Sequence, residues 1–244
     1  MKSFHFLLFG ILLFFSCSSS KNEENVKTSN AQNVKDISNK AIAYQISLEK
    51  SYITWIGSKP AGKHNGTILI KSGKLAVENN NVTGGNVVID INSIQSDDLI
   101  DNPERHGRLI NHLKSDDFFD AENYPEAIFE ITSLNESVSD SIMDVMEEFK
   151  SEYTPASSYE HRIKKPTHNI SGNLTMRDTT LSITFPAQIE VSDSILTARA
   201  KFNIDRTNWN LKYRDEASVV DKTKDRFIYN TVNVGLEIVA YKKK

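Results

Sequence analysis

Leu196-Thr197-Ala198-Arg199-Ala200-Lys201-Phe202-Asn203-Ile204 alternates apolar and polar side chains without a break. In a strand, successive side chains point to opposite faces, so this stretch makes a ribbon with one greasy face and one wet face. Arg206, two residues beyond Ile204, continues the apolar phase. The same period of two recurs in both directions from this segment. It runs through Tyr44, Ile46 and Leu48, through Val87, Ile89 and Ile91, and through Ile170, Leu174 and Met176. It continues through Leu181, Ile183 and Phe185, and through Val232, Val234, Leu236, Ile238 and Ala240. Turn-forming clusters separate the runs: Lys71-Ser72-Gly73, Asn79-Asn80-Asn81, Thr83-Gly84-Gly85, Arg177-Asp178 and Ser192-Asp193-Ser194. Many short antiparallel strands in one body predict an all-β fold, a sandwich or a closed barrel.

Two segments break the alternation. Asp101 to Lys114 reads as a helix, with Asn102 to cap it, Pro103 in its first turn and Leu109, Ile110 and Leu113 as its apolar stripe. Ile142, Val145, Met146 and Phe149 are spaced for a second amphipathic helix between Ser141 and Ser151, a surface helix or a lid. Glu152 to Thr167 reads as a loop. Alternation also suits a barrel that crosses a membrane with apolar side chains outward. The helical excursion and the terminal Lys242-Lys243-Lys244 favour an apolar interior instead. A barrel of about eight strands encloses room for side chains or one slender ligand.

With 29 Lys+Arg against 32 Asp+Glu in 244 residues, the net charge is -3, so there is no overall basic excess for binding nucleic acid. The 1 Cys excludes an internal disulfide framework and a cysteine-only metal cage. His64, His112, His161 and His168 show no helical metal-ligand spacing, and no metal or cofactor is expected. There is no Gly-x-Ser-x-Gly elbow and no phosphate-cradling glycine loop, so catalysis has little support.

The N-terminus reads as an export signal. Lys2 precedes an apolar run from Phe4 to Phe15 that is too short to span a bilayer. Cys17 follows Ser16 in a pattern that resembles a bacterial lipoprotein signal, cut before a cysteine that then carries lipid; the alternative is an ordinary signal peptide with an incidental cysteine. The expected layout is a signal over 1–16, a flexible polar tether over 17–40 and a barrel domain over 41–244, with an insertion at about 136–166. The protein would then be exported and anchored in the cell envelope through Cys17.

The body resembles the YceI-like family, lipocalin-like barrels of the bacterial envelope that bind polyisoprenoids and related lipids. The resemblance spans Tyr44 to Tyr241. It is carried by Trp55 with Gly62-Lys63-His64-Asn65-Gly66, by Val88-Ile89-Asp90-Ile91-Asn92-Ser93-Ile94, and by Leu109 with His112-Leu113-Lys114-Ser115-Asp116-Asp117-Phe118-Phe119-Asp120. Tyr124-Pro125-Glu126-Ala127-Ile128-Phe129, Ile170-Ser171-Gly172-Asn173-Leu174-Thr175-Met176 and Phe202-Asn203-Ile204-Asp205-Arg206-Thr207-Asn208-Trp209 complete it. Asn210 stands where the family often has Gly, and Thr180 where Lys is frequent. The resemblance implies an antiparallel eight-stranded lipocalin-like barrel with one or two short helices. It also implies non-enzymatic binding, transport or storage of a long-chain isoprenoid or quinone-like lipid. The alternatives are a ligand-free envelope interaction module and a secreted hydrolase.

Arg206 on the inward face demands partners, either Asp116, Asp117 or Asp120 or a polar head group, because an unpaired buried charge is costly. A tunnel with one polar end follows, and Arg206→Ala is expected to weaken ligand binding more than it lowers the melting temperature. Trp55, Phe118, Phe119, Phe129, Phe202 and Trp209 are candidates for contact with the tail, His64 and His112 for contact with the head, and Asp117 and Arg206 for contact with the ligand. Phe118 with Phe119 is expected to plug one end of the barrel.

Overall fold

The computed structural model describes residues 25–137, 150–158, 160–218, 220 and 226–243. Among these, ten strands join into one antiparallel sheet: β1 Thr28–Asn30, β2 Ile42–Ile46, β3 Tyr52–Lys59, β4 Gly62–Glu78, β5 Asn81–Asp90, β6 Glu126–Glu136, β7 His168–Met176, β8 Thr179–Val191, β9 Ile195–Asp205 and β10 Thr231–Lys242. From β3 onward each strand pairs with the next, and β10 returns to β3 through Val234 opposite Trp55, which closes the ring. β2 extends the position of β3, pairing Tyr44 with Leu75 of β4 and Ile46 with Ala240 of β10. The result is an eight-stave antiparallel barrel. One helix, α1 Pro103–Lys114, lies between β5 and β6, and Asn102 caps it by accepting from the Arg105 amide.

Local chemistry makes the closure possible. Register shifts at Ile70/Ser72, Ala76/Val77 and Ile131/Ser133 bend β4 and β6 round the axis. Asn79 and Asn80, both at positive φ, turn β4 tightly into β5. A Cβ at Gly66 would stand 1.8 Å from the Gln95 carbonyl, so only glycine lets residues 94–97 lie against β4. There the Gln95 and Asp97 amides donate to the Thr67 and Asn65 carbonyls, each at 2.9 Å.

The phase read from β9 points inward. Leu196, Ala198, Ala200, Phe202 and Ile204 are buried, and Arg199 and Lys201 lie outside. This apolar-inside arrangement is the opposite of a membrane-crossing barrel. β10 shows a different pattern. Its inward Val232, Val234 and Leu236 are only half-buried, while outward Asn233 is 2% exposed.

The outer wall explains half of this inversion. Residues 151–156 of the β6–β7 connection lie across β9 and β10. The Ala156 carbonyl accepts from Asn203 Nδ2 at 3.0 Å and from Asn233 Nδ2 at 3.1 Å. Ser151 and Thr154 hydroxyls meet the Tyr229 hydroxyl at 3.2 and 3.3 Å. The second expected helix falls mostly on residues outside those described.

The expected tether is partly ordered. β1 adds to β8 with Ser29 opposite Ser182, the Val26 amide donates to the Asn203 carbonyl at 2.8 Å, and Gln32 exchanges two hydrogen bonds with the Asn173 side chain. β8 and β9 pair only from Ala187 to Val191, which leaves the Leu181–Ile183 edge of β8 open for this short strand. Polar composition hid this, because backbone pairing on a strand edge needs no apolar side chain.

Candidate binding site

The barrel interior differs along its axis. At the end carrying the β4–β5 and β8–β9 turns it is packed by Tyr44, Ile46, Val77, Leu196, Ile238 and Ala240, all at most 4% exposed. Next to this packing is a void of only about 40 Å³, the room of roughly one water molecule. At the other end, under α1, the inward side chains stop short of one another and leave a cavity of about 850 Å³. That volume lies in the upper part of the range for pockets that take whole organic ligands. The expected through-tunnel is therefore a blind pocket. The half-burial of Val232, Val234 and Leu236 is the other half of the β10 inversion, since all three face this space.

Its wall is apolar and aromatic. Phe185 and Phe202 stack at 4.2 Å between ring centres, and Phe129 leans on Phe185 at 5.5 Å. The Phe129 ring occupies the space over Gly172, where a Cβ would come 2.3 Å from it. Trp55 lines the opposite side, with its indole Nε1 donating to the Gln95 carbonyl at 3.2 Å. α1 closes part of the top with Leu109, His112 and Leu113, and the turn after it adds Phe118 and Phe119.

Eight of the expected contact residues line this cavity: Trp55, His64, His112, Phe118, Phe119, Phe129, Phe202 and Arg206. Trp209 does not. It is completely buried behind the wall, its Nε1 donating to the Leu174 carbonyl at 3.0 Å, and it serves as packing. Asp117 is also off the wall and accepts from His112 Nε2 at 2.9 Å. That bond holds the His112 ring edge-on to Phe118 and Tyr213, at 5.0 and 4.6 Å.

Arg206 corrects an expectation. It is 3% exposed and meets no carboxylate among the described residues. Its Nε donates to the Tyr229 carbonyl at 3.2 Å, Nη2 to the carbonyls of Tyr213 and Ile228 at 3.1 and 3.0 Å, and Nη1 to that of Leu211. Burial pulls its pKa below the ordinary arginine value, while Asp215, Asp205 and Glu216 oppose that shift at longer range. The guanidinium thus ties the chain after β9 to the chain before β10. The carboxylate expected beside it belongs to another arginine: Asp120 faces Arg177 Nη2 at 3.8 Å. Arg177 Nη1 also donates to the Phe118 carbonyl at 3.0 Å and the Asn210 carbonyl at 3.3 Å. Asn210 sits at φ 62, a left-handed conformation that Asn tolerates, which explains how it stands in for Gly.

At the rim, His64 Nδ1 donates to Asp98 Oδ2 at 2.8 Å. Burial disfavours the Asp98 charge, but hydrogen bonds from His64, the Asn65 amide and Ser96 outweigh it and hold the carboxyl below its usual range. Among the described residues, no three His, Cys, Asp or Glu side chains converge as a metal site.

The residues missed in the sequence are mostly aliphatic wall positions, such as Ile53, Ile68 and Val234, and the rim cations Lys59, Arg214 and Arg226. The wall positions carry the same alternation as filled core. The rim cations sit at the end of β3 and in the β9–β10 connection, where no periodicity marks them.

A family model described as YceI-like domain matches residues 44–240. No curated protein matches the chain. Among solved structures, BcnA of Burkholderia cenocepacia is similar at 16% identity and a TM-score of 0.54, covering 80% of this chain and 99% of that one. A polyisoprenoid binding domain from Saccharophagus degradans, implicated in plant cell wall breakdown, is similar at 15% identity and a TM-score of 0.50, covering 83% and 99%. At these identities the likeness is one of fold.

Proposed function

The chain belongs to the YceI-like family, and on that premise we propose that it binds one long-chain, isoprenoid-like lipid with the tail inside the barrel. A single observation carries this reading. One half of the interior is packed almost solid, and the other half is a cavity of about 850 Å³ walled by apolar side chains. A sequence that closes one half so tightly does not leave the other open through poor packing, because an unfilled void costs stability. The polyisoprenoid binding domain from Saccharophagus degradans, similar in fold, supports a ligand of this kind.

Affinity comes from burying the tail. Each methylene removed from water contributes about 0.8 kcal/mol, so about ten supply some 8 kcal/mol before the cost of ordering the chain. The role is carriage or storage without turnover. An envelope location, with Cys17 acylated and residues 1–16 removed, rests on the signal-like N-terminus; these residues lie outside those described.

Native mass spectrometry of the protein purified from its own cells tests the reading. The expected spectrum shows one lipid per chain, released by organic solvent as a single long-chain species. Protein that emerges lipid-free and takes up no added polyprenyl lipid contradicts it.

A further inference from the structure

The cavity has an uneven distribution of charge. Its described lining includes Lys59, Arg206, Arg214 and Arg226 and the imidazoles of His64 and His112, but no aspartate or glutamate. The chain as a whole carries more acid than base, 32 Asp+Glu against 29 Lys+Arg, so composition does not account for this.

Backbone bonds gather these cations at one end. The Tyr229 amide donates to the Ser58 carbonyl at 3.0 Å, which places the end of β3, with Lys59, beside the start of β10. The Ile228 amide donates to the Arg214 carbonyl at 2.9 Å, which brings Arg214 close to Arg226, two residues before Ile228. Arg206 spends four of its five N–H donors on backbone carbonyls, so it contributes charge more than free donors. Lys59, Arg214 and Arg226 are exposed and have no carboxylate partner among the described residues; Arg214 packs over the Tyr213 ring at 5.3 Å. Several described acids of this end are turned to other work. Asp98 holds His64, Asp117 holds His112, and Asp205 caps the turn that follows β9. The Asp215 carboxylate accepts from the Ser218 amide and that of Glu216 from the Asn230 amide.

An apolar pocket with a cationic mouth suits an amphiphile of matching polarity. The geometry points to a lipid with an anionic head group, a phosphate or a carboxylate, held by Lys59, Arg214 and Arg226 while the tail fills the barrel. Guanidinium groups meet either oxyanion through paired hydrogen bonds, and a neutral head gains none of that attraction. This inference rests on the tail-binding reading above and adds the chemistry of the head.

The test uses three probes with one tail: geranylgeranyl phosphate, geranylgeranoate and geranylgeraniol, titrated by calorimetry at low and high salt. An anion is expected to bind at least tenfold tighter than the alcohol at low salt, with the advantage shrinking as salt screens the mouth. Tight phosphate with weak carboxylate identifies a phosphate head; equal tightness identifies any single oxyanion. The Lys59→Gln, Arg214→Gln, Arg226→Gln variant changes exposed side chains only, and it is expected to bind all three probes with the affinity of the alcohol. Equal affinity of all three for the wild type overturns the head-group inference and leaves the tail site standing. Binding of none overturns the tail site itself.

Discussion

Arg206→Ala is expected to destabilise the protein by at least about 3 kcal/mol, because four carbonyls lose a charged donor and a hydrogen bond to a charged group contributes about 1.5–3 kcal/mol. For a domain of this size that corresponds to a fall in melting temperature of roughly 6–12 °C. The carbonyls of Leu211, Tyr213, Ile228 and Tyr229 come from two chain segments, so their loss also loosens the roof over the pocket. Arg206→Lys is not expected to rescue, since one ammonium cannot serve carbonyls arranged around a planar fork. Thermal unfolding followed by circular dichroism reads the effect. A midpoint within about 2 °C of wild type contradicts the clamp and restores Arg206 as a group kept mainly for ligand, as its place on the inward face first implied.

Val234→Trp is expected to abolish lipid binding with little cost to the fold. Val234 lies opposite Trp55 on β3 and Phe202 on β9, in the wall of the cavity, and is only half-buried. An indole there projects into empty space, so filling the void offsets local repacking. Affinity for a polyprenyl probe is expected to fall at least a hundredfold, about 2.7 kcal/mol, while the melting temperature stays level or rises. Unchanged affinity places the lipid outside the barrel. A large loss of stability shows that the space is not available in the folded protein.

The barrel was legible because alternation is a covalent consequence of extended backbone, and it survives across Leu196–Ile204 and the β10 run. Asp101–Lys114 was equally legible through its cap and stripe. What the alternation does not encode is whether an inward face is packed or lines a void, since Val234 and Ile238 sit in the same phase of β10 with opposite fates. Nor does it tell packing from contact: Trp209 shares a motif with Arg206 yet is sealed behind the wall. Partner choice was the least legible. Arg206 faces inward as read, but its partners are backbone carbonyls, two from the turn just after it and two from the chain just before β10, and Asp120 meets Arg177 instead. The buried outer Asn203 and Asn233 read as solvent-facing positions, because nothing local announces that residues 151–156 cross over them.

The most direct test is a crystal structure of the protein loaded with geranylgeranyl phosphate. The predicted result is one continuous rod of density inside the barrel, running from the Phe129–Phe202 floor past Trp55 and ending between Lys59 and Arg214. A barrel whose Val232, Val234 and Leu236 have closed onto Ile53 and Ile68, with density only on the outer surface, contradicts the account.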